Sequence, residues 1–159
     1  MIVDKNQAVI DFLMTCPYVR DNPMFFNFIN AKDDNKQFVT TANDKAINTT
    51  YIDGSVLRRY TFTIIDYKSI AYNALIVMQG YPDENVEDMF EVQTLIDWIT
   101  EQEDLHNYPN FGSNCIIDEM KALTDNPNLN GIDTSVKPTL AKYSVSIQID
   151  YLDISKQIN

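Results

Sequence analysis

The chain has 159 residues, of which 45% are hydrophobic, so it can bury one ordinary core and is short for two. Its net charge of -11 and isoelectric point near 4.3 disfavour proteins that grip nucleic acid phosphates, because such binding depends on lysine and arginine. No window approaches the length of a membrane span, and the first residues lack the pattern of an export leader. We therefore expect one soluble, intracellular domain over residues 1–159, with Cys16 and Cys115 as free thiols.

The N-terminal segment predicts a short amphipathic helix. Apolar residues recur at helical spacing from Asp4 to Cys16. Asp4 is the expected N-cap, and Pro17 is the expected stop.

Two strands are expected after this helix. Residues 24–29 and 37–41 are rich in phenylalanine, valine and threonine, which favour strands. The polar stretch 30–36 between them suits the loop of a hairpin.

Residues 51–66 combine a tight-turn signal with a long alternating strand. Asp53-Gly54 favours a turn, because glycine adopts positive φ without a Cβ clash. Alternation predicts an apolar face and a polar face along the strand that follows. The apolar face consists of Tyr60, Phe62 and Ile64, and the other face of Arg59, Thr61 and Thr63.

The next two segments differ in clarity. Residues 69–78 are apolar enough to be buried, but their periodicity leaves helix and strand open. Residues 82–104 predict the clearest helix, with Asp83 as a possible cap and acidic residues in the first turn. Its apolar stripe consists of Met89, Val92, Ile96 and Ile99.

The C-terminal third predicts two more strands. Residues 106–112 have the composition of a loop, and a strand is expected over 115–124. A polar excursion follows over residues 125–138. The last strand covers 143–151, where every second residue is apolar. The element order predicts an α+β fold, a largely antiparallel β-sheet with two or three helices packed on one side.

The sequence favours no catalytic, metal or cofactor site. His106 is the only histidine, and neither cysteine has the context of a nucleophile. Acidic residues over 83–91 recur at helical spacing opposite the apolar stripe, as on a solvated helix face. Residues 126–131 imitate the start of a calcium loop, but Lys137 stands where its bidentate glutamate belongs, so a polar turn is favoured.

Four residues are candidates for an interface with another subunit or a partner. Arg58 and Arg59 form a basic pair beside the turn, and arginine binds carboxylates bidentately. The alternative places both along an exposed strand start. Tyr108 and Phe111 flank Pro109 in a loop, where aromatic side chains either serve as a docking point or pin the loop onto the core.

Several short motifs, in order along nearly the whole chain, resemble the minor capsid or tail terminator proteins of long-tailed bacteriophages. The strongest are the Tyr-Ile-Asp-Gly-Ser-Val-Leu-Arg-Arg-Tyr-Thr-Phe segment from Tyr51 and the Trp-Ile-Thr-Glu-Gln-Glu helix segment from Trp98. A Phe-Leu-Met-Thr-Cys-Pro segment, a Tyr-Pro-Asn-Phe loop and an Ala-Lys-Tyr-Ser-Val-Ser-Ile strand complete the pattern. None of these motifs is a catalytic signature.

This resemblance implies a structural protein of the virion, located at the head-proximal end of the tail and assembled in the host cytoplasm. The family forms a ring, usually of six copies, that caps the tail tube and joins it to the connector or stopper of the head. The expected partners are therefore further copies of the chain, the tube protein and the connector. An acidic ring would let DNA pass through its lumen without binding it.

Two alternatives remain open at this point. The chain could be another neck or head-completion protein, which the sequence separates poorly from a terminator. It could also belong to a different class, as a small acidic hydrolase or a ligand-binding module. An enzyme would show a pocket with convergent polar groups, and a terminator an extensive interface.

Overall fold

A computed structural model of the chain describes residues 3–20, 24–26, 35–69, 84–124, 128–133 and 140–158. Side chains are described outside 24–26, 35–48, 67–69, 84–91, 128–133 and 140–141. Three helices and six strands lie in these ranges. The helices are α1 (Lys5–Leu13), α2 (Pro17–Arg20) and α3 (Glu84–Asp104). The strands are β1 (Met24–Phe26), β2 (Asn35–Thr50), β3 (Val56–Ser69), β4 (Cys115–Ala122), β5 (Asn128–Asp133) and β6 (Leu140–Asp153).

The six strands form one largely antiparallel sheet. Its order is β1-β2-β3-β6-β4, and β5 pairs with β6 as well. β3 and β6 pair without interruption from Val56 opposite Asp153 to Ser69 opposite Leu140, and they form the centre of the sheet. The α+β fold with a largely antiparallel sheet is therefore confirmed.

β4 and β5 lie one after the other along the same side of β6. β4 pairs with the C-terminal half of β6, and β5 pairs with its N-terminal half. The pairing of β4 shifts at Asp118, an extra residue that has no partner in the register. This bulge lets Ile117 before it and Met120 after it both point towards the core, although they are three residues apart.

The helices cover one face of the sheet, and the core lies between the two layers. Val9, Phe12 and Leu13 of α1 and Val92, Leu95, Ile96 and Ile99 of α3 are buried in it. The sheet contributes alternate residues, because successive side chains of a strand point to opposite faces. They are Tyr60, Phe62 and Ile64 of β3, Met120 of β4, and Tyr143, Val145, Ile147, Ile149 and Tyr151 of β6.

The two predicted helices are confirmed: α3 ends at Asp104 as expected, whereas α1 ends at Leu13 and not near Cys16. Asp4 caps α1, since its carboxylate accepts hydrogen bonds from the backbone N–H groups of Asn6 and Gln7. Gly54 has a φ of 87°, as the turn requires. No helix in the described ranges has the length and apolar character to span a membrane.

Three predictions of local structure were wrong. α1 already ends at Leu13, and Pro17 begins α2, because proline fits the first turn of a helix, where no backbone hydrogen bond is lost. β1 and β2 pair in parallel, so residues 30–36 do not close a hairpin, and residues 35 and 36 already belong to β2. The excursion 125–138 contains β5, whose backbone pairs with β6 although its sequence is polar.

Some predictions of local structure concern residues that lie wholly or partly outside the described ranges. Segment 69–78 does so except for Ser69, which ends β3. The capping role of Asp83 and the side chains of the acidic face over 83–91 also lie outside them.

Candidate interaction surfaces

Arg58 and Arg59 point to opposite faces of the sheet. Arg59 is paired with Asp150 across β3 and β6, on the face opposite the helices. Its Nε and Nη2 atoms each lie 2.8 Å from a carboxylate oxygen of Asp150, in a bidentate arrangement. Hydrogen bonding to Asp150 raises the pKa of Arg59 above its usual value. The guanidinium group is therefore held by the chain itself.

Arg58 lies at the end of the core face, beside the ring of Tyr151. Its Nε atom donates a hydrogen bond to the Tyr151 hydroxyl at 3.2 Å, and Lys5 Nζ lies 5.3 Å from the centre of the same ring. Burial opposes ionisation of the neighbouring Asp153, but hydrogen bonds from Ser155 and the charges of Arg58 and Lys5 lower its pKa overall. Because the two arginines lie on opposite faces, they do not form one basic surface.

The turn beside the arginines is fastened to the C-terminal segment of the chain. Asp53 accepts hydrogen bonds from the hydroxyl and backbone N–H of Ser55 and from the side-chain amide of Gln157. These bonds hold the pKa of Asp53 below its usual value. Ile158 N–H donates to the Asp53 carbonyl at 2.7 Å. A Cβ on Gly54 would lie 2.5 Å from the carbonyl oxygen of Lys156, so only glycine fits against this segment.

The loop with Tyr108 and Phe111 is pinned to the core by Phe111. Its ring is 5% exposed and makes edge contacts with Tyr60 at 5.7 Å and Tyr151 at 5.3 Å between centroids. Pro109 is buried as well. Phe111 therefore pins the loop onto the core and is too deeply buried to serve as a docking point.

Tyr108 is half-buried among acidic groups at the end of α3. Burial and a hydrogen bond to Glu103 raise the pKa of Tyr108 to about 12, with further contributions from the charges of Asp118 and Glu119. His106 Nδ1 lies 3.1 Å from the Tyr108 hydroxyl. Glu103 also accepts a hydrogen bond from the backbone N–H of Met120 at 2.8 Å. Glu103 thus connects this loop to the edge strand β4.

A cleft of about 510 Å³ lies between α1 and the loop that contains Tyr108. Ala8, Phe12 and Pro109 supply apolar surface to it, and Asp4 and Asp11 supply carboxylates. Neither carboxylate is arranged as an acid-base pair: Asp4 caps α1, and Asp11 accepts a hydrogen bond from Gln7 at 2.7 Å. The cleft is suited to holding an apolar group beside a positive charge.

The histidine, cysteine and acidic side chains of the described ranges do not form a catalytic or metal-binding group. His106 is exposed, and within the described ranges no three histidine, cysteine or acidic side chains are grouped so that they could hold a metal ion. Cys16 is buried, Cys115 is partly buried, and the two do not form a disulfide bond. The roles of Asp150 and Glu103 were not predicted from the sequence, because their partners Arg59 and Met120 are distant along the chain. Pairing β3 with β6 would have placed Asp150 near the arginines.

No family model matches the chain, and no curated protein is similar to it.

Proposed function

We propose that the chain is a structural protein of a long-tailed bacteriophage, a ring-forming tail terminator that caps the tail tube and joins it to the head connector. Its partners would be further copies of itself, the tube protein and the connector or stopper, with DNA passing through the lumen. The acidic composition supports this role, since a lumen of negative charge repels DNA phosphates.

The observation that carries the proposal is the position in the fold of the motifs that resemble the family. The segment from Tyr51 forms the turn and the start of β3, and the Tyr-Ser-Val-Ser-Ile segment lies opposite β3 in β6. Trp98 of the helix motif contacts Phe12 of α1, with 5.1 Å between ring centroids. Phe111 of the loop motif packs against both central strands. These motifs build the scaffold of the protomer, which favours a structural role over a catalytic one.

Of the two arginines, only Arg59 remains a candidate for the contact with a neighbouring subunit. Arg59 is 35% exposed in its side chain, so its outer surface remains accessible for a neighbouring subunit while its fork binds Asp150. Arg58 is committed to the core face and Tyr151. Reversing both charges would break two contacts inside the protomer, so this change cannot report on ring formation alone.

Electron microscopy of negatively stained samples tests the proposed function. The purified chain would be imaged alone and after mixing with tail tubes. We expect ring-shaped particles and a ring at one end of each tube, the end that faces the head in complete virions. Protein distributed along the tube or bound to capsids would contradict the proposal.

Tubes that already carry a head provide the control for this experiment. Their head-proximal end is occupied, so a terminator should not bind there. Binding to free and occupied ends alike would indicate a protein with a different position in the particle.

A further inference from the structure

A second cleft, of about 400 Å³, lies between α2 and α3. α2 contributes Pro17 and Tyr18 to its lining, and α3 contributes Trp98. We call it the Trp98 cleft. Its volume lies within the range of clefts that receive ligands, roughly 300–1,000 Å³. The cleft is therefore large enough to hold a long side chain of another protein.

The aromatic residues of the Trp98 cleft are held in place by the chain itself. The Trp98 ring packs against the buried ring of Phe12, at 5.1 Å between centroids. The Tyr18 hydroxyl donates a hydrogen bond to the buried carboxylate of Asp66 at 2.6 Å. Trp98 and Tyr18 are only partly buried, so each ring keeps some exposed surface. Aromatic surface that is fixed before binding loses little entropy on binding.

Two carboxylates give the Trp98 cleft a negative charge. Asp97 and Glu101 are exposed, line the cleft and lie one helical turn apart on α3. Asp97 accepts a hydrogen bond from the neutral amide of Gln93 at 3.0 Å. Among the described side chains, no lysine or arginine forms an ion pair with either carboxylate, and none lines the cleft. The charge of the cleft is therefore of one sign.

An arginine side chain matches this combination of groups. A guanidinium group stacks on aromatic rings such as Trp98, and its N–H groups bind carboxylates such as Asp97 and Glu101. The aliphatic part of the same side chain can pack on apolar surface such as that of Pro17. Lysine carries the charge but has no planar group to stack. The cleft therefore favours arginine over other side chains.

A second copy of the chain is a poor source of this arginine. Arg59 lies 2.8 Å from the carboxylate of Asp150, and Lys121 lies 2.8 Å from that of Glu119, so these cations are compensated within their own chain. Two chains of net charge -11 also repel each other. A different protein, with basic side chains of its own, is attracted instead.

We propose that the Trp98 cleft binds an arginine side chain of a partner protein, stacked on Trp98 and paired with Asp97 and Glu101. The cleft would thus hold one cationic anchor of a larger interface, since a buried arginine is a common hot spot in protein complexes. The inference does not rest on the proposed function, because the same groups would recognise a partner inside or outside a phage tail.

Fluorescence of Trp98 tests the proposal, because Trp98 is the only tryptophan of the chain. The probe is the peptide acetyl-Gly-Leu-Arg-Leu-Gly-amide. Its match carries citrulline, which has the shape of arginine without the charge. We expect the arginine peptide to change the emission in a saturable way and to bind about 5-fold more tightly than the citrulline peptide.

Two double variants of equal charge assign this preference to the cleft. Asp97→Asn with Glu101→Gln removes both carboxylates of the cleft. Asp11→Asn with Asp104→Asn makes the same change in net charge at exposed positions that do not line it. The first double variant should lose the preference for arginine over citrulline, and the second should keep it.

A blocking variant provides an independent measurement. Thr94→Arg places a guanidinium group at an exposed position of the cleft, one turn from Trp98, and should abolish binding of the peptide. Thr100→Arg adds the same charge at an exposed position of α3 that does not line the cleft, and should bind like the wild type. Circular dichroism shows whether each variant is folded, and the double variants still test the cleft if Thr94→Arg is not.

The remaining outcomes contradict the inference. Equal binding of the arginine and citrulline peptides would show that the cleft does not recognise the charge. Equal loss of the preference in the two double variants would show a general attraction to an acidic chain. Free L-arginine that binds as tightly as the peptide would indicate a small-molecule site in place of a partner protein. Trp98 emission that does not respond up to the solubility limit of the peptide would overturn the proposal as well.

Discussion

Arg59 and Asp150 form a bidentate ion pair that joins the two central strands on the face opposite the helices. Both hydrogen bonds measure 2.8 Å, and the side chains are 35% and 12% exposed. Planar guanidinium and carboxylate groups match in this geometry, which makes the pair stronger than a single contact. The sequence leaves open whether Arg59 binds a partner or lies along an exposed strand, and in the structure its guanidinium group is bound within its own sheet.

Breaking this pair should lower stability without changing the fold. Asp150→Ala leaves a partly buried guanidinium without its partner, and we expect a loss of about 1–3 kcal/mol in the free energy of unfolding. Urea unfolding followed by circular dichroism measures the loss. A double-mutant cycle with Arg59→Met should give a coupling energy of about 1 kcal/mol, the upper end for accessible pairs. Additive effects of the two substitutions would show that the pair contributes nothing.

Gly54→Ala should destabilise the chain more than Gly112→Ala. Both glycines have positive φ, 87° and 94°, so alanine is strained at either position. At Gly54 the new Cβ would lie 2.5 Å from the backbone carbonyl of Lys156, whereas at Gly112 it would meet a methyl group of Val3 at 3.0 Å. A side chain can move more easily than a backbone, so we expect about 1–3 kcal/mol more loss for Gly54→Ala.

Equal losses for the two glycine variants would contradict the close approach of the turn to the C-terminal segment. Hydrogen exchange gives a second measurement. The amide of Ile158, which donates to the Asp53 carbonyl, should exchange faster in Gly54→Ala and stay protected in Gly112→Ala.

Alternation in the sequence predicts which residues of β3 and β6 face the core, because one buried face imposes a period of two. Tyr60, Phe62 and Ile64 are buried as this period predicts. Alternation does not show whether two strands run parallel or antiparallel. The parallel pairing of β1 with β2, where a hairpin was expected, therefore could not be predicted in this way. β5 escaped prediction because its polar residues give no alternating pattern and its pairing depends on β6.

The interaction surfaces were harder to predict, since they depend on contacts between distant segments. Successive residues of β3 point to opposite faces of the sheet, so Arg58 lies on the same face as Tyr60 and Arg59 on the other. The sequence could therefore have predicted that the two arginines do not share a surface. The burial of Phe111 depends on its contacts with Tyr60 and Tyr151, which lie far from it along the chain, so no local pattern shows it.

Glu103 should protect the edge of the sheet. Its carboxylate accepts the backbone N–H of Met120 on β4, the last strand in the sheet order. Glu103→Ala leaves this N–H unsatisfied at a buried residue, and we expect a loss of about 1–3 kcal/mol. The bare edge should also favour pairing between chains. Faster exchange of the Met120 amide and increased aggregation would be the measured effects.

Glu103→Gln provides the matched control, because its side-chain carbonyl can still accept the hydrogen bond. We expect it to retain most of the protection that alanine loses. If Glu103→Ala and Glu103→Gln aggregate alike, the negative charge and not the hydrogen bond keeps the edge from pairing.

Asp53→Asn should make stability less sensitive to acid. Its hydrogen bonds hold the pKa of Asp53 below the usual 3.8, so ionised Asp53 stabilises the fold at neutral pH. That contribution is lost as pH falls below the unfolded-state pKa and through the lower folded-state pKa. Melting temperatures measured across the acid range should fall less steeply for Asp53→Asn than for the wild type. Gln157→Ala, which removes one donor, should give an intermediate slope, and an unchanged slope in both variants would contradict the assignment.

Tyr108→Phe should have the opposite signature, at alkaline pH. Because the pKa of Tyr108 is raised from 10.0 to about 12 in the folded chain, the unfolded chain loses this proton first as pH rises. Stability should therefore decline through this window, and the decline should be smaller when phenylalanine replaces Tyr108. Urea midpoints measured at several alkaline pH values test the difference between the two proteins. A difference titration of tyrosinate absorbance between them should place the missing group at the high end of the range. A group that ionises with the ordinary tyrosines would contradict both the burial of Tyr108 and its hydrogen bond to Glu103.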